Sequence, residues 1–223
     1  MRSMTGSVNK KCCPEVTKLN EKFFHLPQEK QQAIINMGYR VFSQNTYKKS
    51  PMSEIAAAAG ISKALLFHYF TNKRELYLFL WQKSTETTLE YLQKYDCYAG
   101  SDVFEIMLRG LQAKVAVIKD YPYLRAFVMR AYYEKDPEVA QELHKLSEKF
   151  ISYKENTSLL KMDPADFIPG LDLRLMYQDM YWASEGYLLE KQRSGNLDAD
   201  EMERDFIKMI DFWKSIYKRR DAE

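Results

Sequence analysis

Three cysteines and three histidines in 223 residues leave little material for several kinds of protein. The cysteines are Cys12, Cys13 and Cys97. An odd count with two of them adjacent fits neither a disulfide framework nor zinc-finger spacing, so reduced thiols without a role are expected. His25, His68 and His144 fall in separate segments, and no HExxH, GxSxG or Walker pattern occurs. No catalytic residue, metal site or cofactor is therefore expected. Long apolar runs are also missing: none nears the roughly 18 residues of a membrane helix. The opening MRSMTGSVNKKCC lacks the apolar core of a secretory signal. Neither membrane association nor export is expected, which leaves the cytoplasm. Strand alternation and internal repeats are absent too, and what remains is a succession of helical periodicities.

Net charge is small as well, at +2, but the sum hides a split. Residues 1–74 carry 12 Lys and Arg against 4 Asp and Glu, a net of +8; residues 75–223 carry 21 against 27, a net of −6. A basic N-terminal third on an acidic remainder is the footprint of a DNA-binding head on a separate body.

The basic third is organised around SPMSEIAAAAGISKALLFHYFTNK, residues 50–73. Ser50 is a helix-capping type, and Pro51 suits a first helical position, where its missing N–H is no loss. A short helix is expected over 52–59, with Ile55, Ala56 and Ala59 on one face. Gly60 then supplies the positive φ that so tight a turn demands. Ile61 fills the corner, Ser62 caps a second short helix over 63–70, and Leu66 and Phe70 turn inward. Asn72 caps a further helix, with Glu75 at capping-box spacing. This is the pattern of a helix-turn-helix, whose second helix enters the DNA major groove with its first residues at the base edges. An ordinary helical hairpin shares the turn, so the continuation of the pattern matters.

Residues 34–76 resemble the DNA-binding domain of TetR-family transcriptional regulators along their whole length. The shared positions are Val41-Phe42, Tyr47, Ser50, Ile55-Ala56, Ala59-Gly60-Ile61-Ser62, Leu66, Tyr69-Phe70, Lys73 and Leu76. The resemblance implies an all-α fold: an N-terminal three-helix DNA-binding domain with a helix-turn-helix, then a C-terminal helical ligand-binding and dimerisation domain. It implies a homodimer on a palindromic double-stranded DNA operator, released when a small lipophilic effector binds the body. The expected DNA-binding positions are Ser50, Ser62, Lys63, Ala64, Leu65, Phe67, His68, Tyr69 and Lys73. Lys63 would reach a guanine edge or a phosphate, Ala64 and Leu65 would sense thymine methyls, and Tyr69 and Lys73 would hold the backbone. Three departures stand out. Thr46 replaces a usual Gly, so Asn45 is expected to carry a left-handed turn. Phe67 replaces a usual Tyr, which removes one phosphate hydrogen bond. Ala64 and Leu65 make the reading surface unusually apolar.

Around this motif, residues 1–24 lack periodicity, and Lys10, Lys11, Lys18 and Lys22 make them basic. A disordered tail is expected, with an arm on phosphate or minor groove as the alternative. Residues 25–73 form the expected DNA-binding domain, its first helix over 27–45. Residues 74–223 form the body. Its first helix, over 73–94, is a rod of roughly 33 Å. Further helices are expected to follow Asp102, to include 124–131, to run from Asp136-Pro137 to about 160, and to cover 171–193 and 198–217.

The body carries two kinds of apolar pattern. On the helix over 171–193, Leu175, Trp182, Gly186 and Leu189 form one stripe, and Met176, Met180, Ala183 and Tyr187 another. Two stripes on one helix need two partners; one can be its own core and the other a second subunit, as the resemblance implies, the alternative being that both are monomer core. Together with Phe206, Met209 and Trp213 on the last helix, Leu175, Gly186 and Leu189 are the expected dimer interface. Met107, Phe127, Tyr132, Tyr177, Tyr181, Trp182 and Glu185 are the candidates to line an effector cavity, since Met fills irregular gaps and Tyr adds a polar tip to an apolar wall. Two rivals remain open: a helical protein-binding adaptor, and a DNA-binding protein without ligand control.

Overall fold

The computed structural model describes residues 21–100, 102–195 and 198–219. The chain is all-α. Its helices are α1 Glu21–Phe24, α2 Gln28–Gln44, α3 Met52–Ala58, α4 Lys63–Tyr69, α5 Lys73–Lys94, α6 Val103–Asp120, α7 Leu124–Tyr132, α8 Ala140–Leu159, α9 Leu173–Ser194 and α10 Ala199–Tyr217. The extended pairing among the described residues is an isolated bridge between Phe167 and Lys218.

Local chemistry sets most of these limits. Ser62 Oγ accepts Leu65 N–H at 3.1 Å, Asn72 Oδ1 accepts Glu75 N–H at 2.8 Å, and Asp198 Oδ1 accepts Glu201 N–H at 2.7 Å. Each satisfies an orphan donor of a first turn. Glu75 answers through Thr71 N–H, 2.7 Å away. α8 starts later than Asp136-Pro137 suggests. Asp136 Oδ1 closes on Glu138 N–H at 3.1 Å, and this local turn takes up 137–139 before Ala140 begins the helix.

The chain divides into two compact units, one holding residues up to Thr87 and Tyr121–Phe150, the other Thr88–Asp120 and Ile151 onward. The division does not follow the expected boundary at 73/74: α7 and the first part of α8 belong with the helix-turn-helix.

In the first unit, α2, α3, α4 and the first part of α5 enclose Ile34, Phe42, Ile55, Leu66, Phe70 and Leu76, all without solvent exposure. α2 lies close on α5 at Gly38, where a Cβ would meet Leu80 Cδ1 at 2.6 Å. Beside it Tyr39 Oη donates to Leu80 O at 3.3 Å. α7 packs on α2 through Phe127, whose ring lies 5.2 Å from both Tyr39 and Tyr77. Of the tail expected over 1–24, residues 1–20 lie outside the described residues. Residues 21–24 are the α1 turn, and Phe23 is buried there, 5.1 Å from Phe70 and 5.2 Å from Phe79.

In the second unit, α6, α9 and α10 surround Phe104, Leu111, Met176, Met180, Leu188, Met202, Phe206, Ile210 and Trp213. The chain closes on itself past α10: Ile168 N–H donates to Tyr217 O at 3.1 Å, and Lys218 Nζ pairs with Asp102 Oδ2 at 2.9 Å.

Candidate functional site

The turn between α3 and α4 is built by hydrogen bonds that only a left-handed residue permits. Gly60 has φ +69. Ile61 N–H reaches back to Ala56 O at 3.0 Å and Gly60 N–H to Ala57 O at 3.1 Å, the paired bonds of a Schellman motif. A Cβ on Gly60 would meet nothing within 4 Å. Gly60→Ala should therefore destabilise the first unit by about 1–2 kcal/mol through backbone conformation alone, with Gly60→Asn costing less, as chemical denaturation of the two variants would show.

This turn presents α4 with Ser62, Lys63, Ala64, Leu65, Phe67 and His68 on its exposed side and Leu66 beneath. Lys63 Nζ lies 5.8 Å over the Phe67 ring, so the residue that replaces the usual Tyr steadies the lysine on the open face. Ser62 Oγ accepts the Leu65 N–H, which leaves its own hydroxyl proton to donate. Lys48 and Lys49 are exposed beside the start of α5. Lys73 Nζ donates to Lys48 O at 3.1 Å and sits 4.7 Å over Tyr47. One ammonium proton is thus used to fix the side chain, out of the three it carries. Lys48, Lys49 and Lys73 gather at the start of α5, and Lys63 opens α4 in the same unit.

Three of the expected positions behave differently. Ser50 is buried and its hydroxyl donates to Thr46 O at 2.9 Å, which ties the turn; Pro51 occupies the N-cap of α3 instead. Tyr69 is only 7% exposed, packed on Phe23 at 6.1 Å, so most of its ring supports α4 from below. Asn45 is extended, with φ −130, and not left-handed. The cause comes from α7 and the residues just after it: Arg130 Nε donates to Asn45 O at 2.8 Å, and Glu134 Oε2 accepts Tyr47 N–H at 2.8 Å. With both backbone groups satisfied, the chain leaves α2 without a left-handed residue.

The second unit contains a cavity of about 50 Å³. Of the effector candidates, Met107, Tyr177 and Tyr181 line it, together with Cys97, Lys114 and Lys154, which sequence reasoning passed over. Glu185 holds Lys114 in an ion pair of 2.7 Å. A signal for Lys114 existed: it falls three residues from Leu111 and three from Val117, on the buried stripe of α6. Burial pushes the Cys97 thiol up to about 11, against the pull of Lys154, Lys114 and Arg109, so the wall carries a thiol and not a thiolate. Phe127 belongs to the aromatic core of the first unit, not to this cavity. Tyr132 and Trp182 are exposed, because each sits on the side of its helix turned from its own core. Among the described residues no group of three or more His, Cys, Asp and Glu side chains could hold a metal ion.

Comparison with known proteins bears on the helix-turn-helix directly. Residues 34–79 match the model of the bacterial regulatory proteins, tetR family. A stretch of 92 residues is 32% identical to the HTH-type transcriptional regulator AcrR of Shigella flexneri; it is 40% of this chain and spans 43% of that protein, less than half its length. Residues 34–79 thus carry a domain similar to the DNA-binding domain of tetR-family regulators. Over 152 residues, 68% of this chain and 78% of the relative, it is 19% identical to the fatty acid metabolism regulator protein of Bacillus subtilis. Its fold matches the crystal structure of a TetR family transcriptional regulator from Chloroflexus aurantiacus with a TM-score of 0.65, at 23% identity over 92% of this chain and all of that one.

On α9 the two expected stripes separate only in part: Ala183, placed with the inner stripe, is exposed, and Tyr187 is half-buried. Met176, Met180 and Leu188 are core, while Leu175 and Trp182 are 64% and 54% exposed, with Leu189 and Gly186 on the same open side. α10 differs from expectation. Phe206 and Trp213 are buried in the core and Met209 packs half-buried against it, so the open apolar residues there are Phe212, 61% exposed, and Ile216. α10 is apolar around much of its girth, and its Asp198 cap and contact with α6 turn the Phe206 side inward. Among the described residues no helix is long and apolar enough to cross a membrane.

Proposed function

We propose that the chain is a homodimeric repressor that binds a palindromic operator through α4 and lets go when a lipophilic small molecule occupies the second unit. The observation that carries the DNA half is the exposed row Ser62, Lys63, Ala64, Leu65 and Phe67 on a helix locked by the Gly60 turn, with Lys48, Lys49 and Lys73 gathered at the start of α5 in the same unit. Ala64 and Leu65 suit thymine methyl groups, the Lys63 ammonium a guanine edge, and Lys73 a phosphate. A protein-binding adaptor would have no use for gathered lysines in the same unit as an exposed, apolar helix face. Selection of bound sequences from random duplex DNA should return an inverted repeat with half-site centres about 34–36 Å apart or a multiple of that. Recovery of no common sequence would remove the operator from this account.

The roles divide cleanly under mutation. Lys63→Ala should cost about 1–3 kcal/mol at one base pair and relax preference there, whereas Lys73→Ala should weaken all sequences alike and lower the salt slope by about one. Identical specificity profiles for Lys63→Ala and the parent would strip Lys63 of its reading role.

The effector half draws support from the cavity walled by Met107, Tyr177 and Tyr181 and from a relative named for fatty acid metabolism. Control requires only that the effector prefer a conformation in which the two copies of α4 miss their grooves. A switch that is nearly complete needs about 10⁴-fold preference between the two states.

A further inference from the structure

The lysines at the start of α5 are held in place from a distant part of the chain. Residues 130–138, the end of α7 and the link to α8, reach the helix-turn-helix part of the same unit at three points. Arg130 Nε donates to Asn45 O at 2.8 Å, Glu134 Oε2 accepts Tyr47 N–H at 2.8 Å, and Glu138 O accepts Arg74 Nε–H at 2.9 Å. The first two contacts hold the turn between α2 and α3, and the third holds the first turn of α5. Lys73 bridges those two elements: its ammonium donates to Lys48 O at 3.1 Å and lies 4.7 Å over the Tyr47 ring. Glu134 stiffens the link as well, since its other oxygen, Oε1, accepts Lys135 N–H at 2.9 Å and Asp136 N–H at 3.0 Å. One carboxylate thus ties three backbone donors, and hydrogen bonds to a charged acceptor are about twice as strong as neutral ones.

We propose that Glu134 is a positioning residue for DNA binding: it fixes the Tyr47 platform on which Lys73 meets a phosphate, and touches no nucleic acid itself. This rests on the reading that Lys73 binds a phosphate. Glu134 lies outside the matched residues 34–79, so that likeness gives it no role. A lysine that swings freely loses rotamer entropy when it settles on a phosphate; one already laid over a fixed ring loses less. The gain is in affinity and not in choice of sequence, because phosphate contacts carry no base information. Its sign is distinctive too. Removing a negative charge from a DNA-binding unit would by general electrostatics tighten binding, whereas loss of the platform loosens it.

Glu134→Gln tests this at constant size. Its amide has one oxygen where the carboxylate has two, so either Tyr47 or the link loses its acceptor. Fluorescence-anisotropy titration of the full chain, with the operator returned by selection and with a duplex of unrelated sequence, should show binding about three- to tenfold weaker for both. Base preferences in the selection should stay those of the parent. In a Lys73→Ala background the same change should cost less than about twofold, because the platform then carries no lysine. A merely less stable unit would lose as much with Lys73 as without it. Equal losses in the two backgrounds, no loss in the parent, or altered base preferences would overturn the positioning role while leaving Lys73 on its phosphate. Lys73→Ala binding as tightly as the parent would overturn both.

Discussion

Truncating Phe127 to alanine should lower the stability of the unit that carries the helix-turn-helix by about 3–5 kcal/mol. The ring has no solvent exposure and sits among Tyr39 and Tyr77, each at 5.2 Å, and Phe42 at 6.3 Å. Three rigid rings on two other helices cannot close over the space of a lost phenyl group, so the cavity term adds to the lost burial. Trp81 is buried in this unit, whereas Trp182 and Trp213 belong to the other. In a Trp182→Phe/Trp213→Phe background, Trp81 fluorescence would follow the unit's urea transition on its own. Tyr133→Ala, at a residue 64% exposed near the end of the same helix, should change it by no more than about 0.5 kcal/mol. A loss at Phe127 as small as that at Tyr133 would mean that α7 is an ornament on the unit and not part of it. The expected size is enough to thin the folded population of a marginally stable domain, so operator binding should fall at a site that never meets DNA.

Phe127 also marks where sequence reasoning stops. Helix existence and limits were legible because they are punctuated locally. The helix expected over 73–94 is α5, Lys73–Lys94, and the caps at Ser62, Asn72 and Asp198 form the bonds their spacing implies. The exposed face of α4 was legible for the same reason, since one face of seven residues is decided by Leu66 and the Gly60 turn. Partners of a helix face are a different matter. An aromatic residue on an amphipathic helix looks alike whether it meets a cavity, as Tyr181 does, or another helix, as Phe127 does. Asn45 shows the converse: its missing left-handed turn is explained by Arg130 and Glu134, residues far along the chain that no local pattern connects to it. On α10, Phe206 and Phe212 lie less than two turns apart, yet one is 1% and the other 61% exposed. Only the packing of α6 against one side tells them apart.

That side-to-side difference leads to the largest expected effect on function. Trp182→Glu with Phe212→Glu should turn a dimer into a monomer, read by light scattering after size exclusion, and weaken operator binding by about 10²–10⁴-fold. The size follows from effective concentration: once one α4 is seated, its twin meets the second half-site as an intramolecular partner, and that gain vanishes with the dimer. Both residues are exposed on apolar stripes, so the monomer fold gives up little when they become charged. In a dimer packed through α9 and α10 the same carboxylates would be buried without partners, which is strongly unfavourable. Binding to a duplex with one half-site should stay at the parent's level, since that contact needs a single α4. A variant that remained dimeric would place the subunit contact elsewhere on the chain. One that became monomeric yet held the full operator as tightly as before would deny any role to the second copy in reading DNA.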